Sequence, residues 1–128
     1  MANPAALTLT EIPEAGAVSR PAGDAIDTNG QVPLACGGAT ERVLLEVVNT
    51  DDAALTVKVK AGHSERAPIG DLTVELAASG GGATANRLIG GLESARFQQP
   101  GGGLLLEFTA ATGAPACTVR AYKLPRAV

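Results

Sequence analysis

The chain has 128 residues, 45% of them hydrophobic but only 2% aromatic, and its net charge is −3 at pH 7 with a pI of about 5.0. That length suits one domain whose core needs neither a disulfide nor a metal to hold it together. An acidic chain without a cluster of Lys or Arg lacks the electrostatic footprint that nucleic-acid or anionic-membrane binding requires.

Residues 1–30 contain Pro4, Pro13 and Pro21 with Gly16 and Gly23. Each proline fixes its own φ and pushes the residue before it towards extended conformations, which predicts an extended arm rather than a helix. The start "MANPAALTLTEIPEAG" has no basic residue followed by an uninterrupted apolar run, so it predicts neither a secretory signal nor a transmembrane helix, and synthesis in the cytoplasm is expected. Within it, "LTLT" at residues 7–10 alternates and predicts an edge strand, added either to this domain or to a neighbouring subunit. The competing reading is an unstructured leader.

From residue 31 the pattern is β. "QVPLAC" sets Val32, Leu34 and Cys36 on one face, and Pro33, which cannot donate to a ladder, predicts an edge position. "ERVLLEVVN" places Val43, Leu45 and Val47 on one face with Leu44 and Val48 on the other, the signature of a strand covered on both sides. Asn49 to Asp52 is turn chemistry. "LTVKVK" then alternates most cleanly, with Leu55, Val57 and Val59 inward. "DLTVEL" repeats the alternation, "ASGGGATAN" is a glycine loop, and "RLIGGL" is a short apolar piece. "ARFQQ" predicts a strand-like approach with Phe97 in the core and Arg96 outward, "PGGG" a turn, and "LLLEF" a returning strand with Leu104, Leu106 and Phe108 inward. That leaves Leu105 as an apolar residue on an outer face. "CTVRAYKL" closes the chain with Cys117, Val119 and Ala121 inward. Six to eight short strands at this spacing predict an all-β, single-domain β-sandwich or jelly-roll-like barrel over 31–128, preceded by the arm at 1–30.

Chemistry-bearing patterns are sparse. No serine sits in a GxSxG elbow, and in "GHSER" the neighbouring His63 and Ser64 would point to opposite faces of a strand, so the only histidine is expected to be a solvated loop residue. The aspartates lack EF-hand spacing, and "PGGG" lacks the Lys-Ser or Lys-Thr of a phosphate loop. Cys36 and Cys117 have no CxxC spacing and only His63 to join them, too few ligands for zinc. A disulfide between the two cysteines stays open at this level, with buried free thiols preferred for a chain made in the cytoplasm. No catalytic group, metal or cofactor is expected, and the protein reads as a non-enzyme.

The order of features carries a resemblance. An Asp27…Asn29-Gly30 turn leads into the first core strand, a strand ends in Asn49, and Ile89, Gly90, Arg96 and Phe97 precede a late strand. Over residues 24–123 this resembles the small head decoration, or capsid cement, proteins of tailed bacteriophages. The cysteines and Pro33 depart from that pattern. The resemblance implies a sandwich on the outer surface of an icosahedral head, with the major capsid protein as partner, a homotrimer at local threefold positions, and neither nucleic acid nor membrane contacted. Leu7, Leu9 and Ile12 of the arm, with Arg96 and Leu105, are the expected capsid or subunit contacts. The alternative is a displayed module that recognises a host surface or carbohydrate, disfavoured because a chain with no Trp and one Tyr offers few rings for a sugar to stack on.

Overall fold

The computed structural model describes residues 3–125. In chain order the elements are β1 (Leu9–Glu11), β2 (Asp24–Ile26), β3 (Gly30–Leu34), β4 (Val43–Asn49), β5 (Leu55–Val59), β6 (Leu72–Leu76), β7 (Asn86–Ile89), the helical turn α1 (Ser94–Phe97), β8 (Leu104–Ala110) and β9 (Cys117–Lys123). Short 3₁₀ turns precede β4, β6 and β7.

Period-two alternation decides the architecture. In β4, β5, β8 and β9 the residues expected to face inward are all buried, and the residues between them are partly exposed. Strands with one buried face must pair into sheets and stack them, and two sheets do so. In the first, β1 and β2 both lie along one side of β9, followed by β4 and β7. The second runs β3-β8-β5-β6. The domain is therefore a β-sandwich. Register brings Leu45 opposite both Ala121 and Ile89, and Val57 opposite both Phe108 and Val74, so the inner faces meet as rows of aliphatic side chains around Phe108. Pro33 stands on β3, an edge strand, where its missing N–H costs no rung.

Residues 3–30 are part of this construction. β1 pairs parallel to the end of β9, Leu9 opposite Ala121, and β2 pairs antiparallel to its beginning, Ile26 opposite Cys117. Of the two sheets open to "LTLT", its own is the one it joins. Leu7 and Ile26 are buried in the core, and the Leu7 N–H donates to Pro33 O at 2.9 Å, tying the first sheet's edge to the second's. β2 was not expected from the sequence, because three residues are too few to show a period. On the opposite side of the sandwich the Arg87 guanidinium reaches from β7 to Glu75 O on β6, again bridging the sheets.

One expectation is corrected. "ARFQQ" does not approach as a strand; Ser94–Phe97 form a helical turn. The Arg96 and Phe97 N–H groups donate to Glu93 O, while the Glu41 carboxylate accepts from both the N–H and the hydroxyl of Ser94. The Ser94 N–H holds the Glu41 carboxyl below its usual range. A side chain fifty residues away thus starts this turn, and nothing local in the sequence announces it. Phe97 is buried as expected.

Cys36 and Cys117 are both free and buried. Cys117 begins β9, whereas Lys123, which ends it, donates from Nζ to Cys36 O at 2.5 Å. The thiols therefore sit near opposite ends of a strand about 20 Å long, beyond the roughly 7 Å Cα separation a disulfide tolerates, even allowing for the reach of the lysine. Burial pushes the Cys117 thiol up to about 12, and it raises Cys36 against the opposing charge of Lys123. The folded, unreduced protein at pH 8 should take up no alkylating agent in the time the urea-unfolded chain takes up two equivalents. Mass spectrometry reads this directly; rapid double labelling of the folded chain would overturn the buried-thiol assignment, and no labelling of the unfolded chain would show a disulfide.

Candidate interaction surface

The positions where chemistry was sought are occupied by structural bonds. His63 is exposed, its Nδ1 3.1 Å from Gln98 O. Among the described residues no group of three or more His, Cys, Asp or Glu side chains could hold a metal ion. A shallow cleft of about 210 Å³ opens beside the arm, smaller than the roughly 300–1,000 Å³ of most small-molecule sites. Its polar side chains are engaged: Asp24 accepts from the Thr8 N–H and hydroxyl, and Arg120 Nε donates to Pro21 O.

The surfaces left to consider are the two outer sheet faces. On the second sheet the face is mainly polar, built from Gln31, Thr56, Lys58, Lys60, Thr73, Glu75, Glu107 and Thr109. Lys60 Nζ sits 2.8 Å from Asp71 and 3.9 Å from Glu107, and its hydrogen bond holds the Asp71 carboxyl below the usual range. Leu105 lies in this face, half-buried, opposite Pro33 on one side and hydrogen-bonded through its carbonyl to the Lys60 N–H on the other. The proline ring and the lysine stem flank it.

The outer face of the first sheet differs. Leu44 stands opposite Tyr122, Val48 opposite Thr118, and Glu46 opposite both Arg120 and Leu88. Three adjacent strands thus present Leu44, Val48, Leu88 and Tyr122 outward around one central carboxylate. Glu46 pairs with Arg20 at 2.9 Å and lies 3.8 Å from Arg120, with the Tyr122 hydroxyl at 3.4 Å. Arg20 belongs to the segment between β1 and β2, which crosses onto this face from the β9 side. Leu44, Val48 and Tyr122 are half-buried, while Leu88 is 67% exposed, the most exposed large apolar side chain of the described residues.

The residues singled out from sequence do not form one surface. Leu7 is buried, Leu9 packs partly against the core, and Ile12 is half-buried beside the end of β9, where its N–H donates to Lys123 O. These three line the β9 side of the sandwich. Arg96 lies at its loop end and does not point freely outward. Its guanidinium donates to Gly70 O and Asp71 O and stacks 4.6 Å from the Phe97 ring centroid, pinning the 61–71 loop to α1. Nearby, Gly62 lies so close to Gln98 that a Cβ there would overlap its carbonyl oxygen, and the Gly62 N–H donates to Arg96 O. Leu105 faces out on the other sheet. Leu88 and Tyr122 were missed. The available signal was the two-sided apolar pattern of "ERVLLEVVN", which marks β4's outer face as one needing cover.

Comparison with protein-family models, with curated proteins and with solved structures gave no match to this chain.

Proposed function

We propose that this protein is a structural virion component that binds the outer surface of an icosahedral phage head and stabilises contacts between major capsid protein subunits. The observation that carries the proposal is the outer face of the first sheet, where Leu44, Val48, Leu88 and Tyr122 are contiguous across three strands with a charged centre at Glu46. A contiguous exposed apolar patch that includes an aromatic residue is typical of a protein-binding surface, and the arginines beside Glu46 offset its charge. The resemblance in the sequence supplies the partner, the major capsid protein, and the arrangement, a homotrimer at local threefold positions. A rigid sandwich straddling subunit junctions opposes the outward pressure of packaged DNA by adding contacts to several subunits at once.

Heads that lack the protein should release DNA at a lower temperature than complete heads, and adding back the purified chain should restore them. Leu88→Asp should fold normally by circular dichroism, because Leu88 lies outside the core, yet bind such heads about tenfold more weakly, as expected when a charge replaces an apolar anchor. Equal thermal stability of heads with and without the protein would refute the function. Undiminished binding of the Leu88→Asp variant would refute this face as the contact.

A further inference from the structure

We propose that the N-terminal arm is exchangeable between copies of this chain, residues 3–11 of one copy seating on the β9 edge and β3 of a second copy as they seat on their own. The seat is built from residues that all follow the linker. Asn3 Oδ1 accepts from the N–H groups of Asp27 and Thr28, and its Nδ2 donates to Thr28 O. The Leu7 side chain enters the core while its N–H bonds Pro33 O. Thr8 is held by Asp24, and β1 pairs with β9 from Ala121 to Lys123. Such a seat is complementary to any copy of the same arm.

The segment joining arm to seat is the second observation. Residues 13–19 are all exposed, with a local turn at Glu14–Ala15, and among the described residues none of them is hydrogen-bonded or ion-paired to the sandwich. Ala15 sits at φ 46°, in the left-handed region that a residue with a Cβ enters at a cost. That reversal is needed only because the chain must come back to its own β9. Glu11 stands opposite Lys123 and Asp24 opposite Val119, positions about 13 Å apart along the strand. With Arg20 still bound, residues 12–19 are free to extend to roughly 28 Å, enough to reach a neighbouring β9 packed alongside. Arg20 and Pro21, bound to Glu46 and Arg120, lie beyond the hinge and keep their bonds whichever arm is seated. Exchange conserves every contact of the seat and straightens the hinge, the condition under which swapping is a low-cost route to association. In dilute solution the tethered arm wins, because its effective concentration is on the order of millimolar; copies crowded to that level exchange.

Two variants, Thr10→Cys and Tyr122→Cys, separate the two arrangements, since these positions are register partners across β1 and β9. They are mixed at about 2 mM, warmed briefly to open the arm, cooled and treated with oxidised glutathione. A disulfide joining one chain of each kind is expected, and the same mixture at micromolar concentration should give none. The double variant, diluted, should close the bond within one chain. Light scattering on the unaltered chain is the second readout: after the same treatment, a dimer that dissociates slowly on dilution is expected. No mixed disulfide at millimolar concentration while the diluted double variant closes its own bond, or an unaltered chain that stays monomeric throughout, overturns the proposal. No capsid enters this experiment, so its failure leaves the proposed function standing.

Discussion

Asn49→Leu should lower the free energy of unfolding by about 2–4 kcal/mol, because three backbone groups lose their partner in a part-buried setting. Asn49 is one of two buried polar residues in the described chain, the other being Thr40, which donates to Leu92 O. Its Nδ2 donates to Ala53 O and Ala77 O, both at 2.9 Å, and its Oδ1 accepts from the Asp51 N–H at 3.1 Å. One amide therefore clasps the turn after β4, the start of β5 and the end of β6. Leucine has the same branching but can neither donate nor accept and is bulkier, so the loss combines the missing hydrogen bonds with some overpacking. Asn49→Asp tests the same site differently: it keeps an acceptor for Asp51 but turns a second oxygen towards two carbonyls. Urea unfolding of the two variants measures both effects, and a change below about 1 kcal/mol in each would show that water replaces the clasp at no cost.

The other large effect is a contrast along one strand. Phe108→Ala should cost about 3–5 kcal/mol, since Phe108 is the largest fully buried side chain and truncation leaves a cavity between the sheets. Leu105→Ala, three residues earlier on β8 but on the outer face, should cost less than about 1 kcal/mol, the usual range for substitutions away from the core. Thermal unfolding of both variants checks the contrast. Similar losses would mean that Leu105 is covered by more than Pro33 and the Lys60 stem.

Much of the fold was legible before the structure. A strand turns successive side chains to opposite faces, so the alternation in "LTVKV", "LLLEF" and "CTVRA" names the buried residues without any knowledge of which strand pairs with which. Pro33 marked an edge for a chemical reason that holds in any topology. Where the reading failed, the determinant was remote. The turn at Ser94–Phe97 depends on the Glu41 carboxylate, and the three-residue strand β2 gains its conformation from the β9 edge rather than from a pattern of its own. The candidate surface was half legible: Leu44 and Val48 stood out on β4, but Tyr122 and Leu88 join them only through register.

By itself, then, the sequence determined a property carried by each segment alone: which side of each long strand is apolar, where turns fall, and hence that two sheets must stack. Only the tertiary structure decided the properties that belong to pairs of segments. These are the strand order, the seating of Leu7 beneath its own sheets, the distance that keeps Cys36 from Cys117, and the apolar face assembled from β4, β7 and β9. The division has one physical origin. Side-chain direction follows from local backbone geometry, whereas pairing partners are selected by burial and hydrogen bonding between residues far apart in the chain.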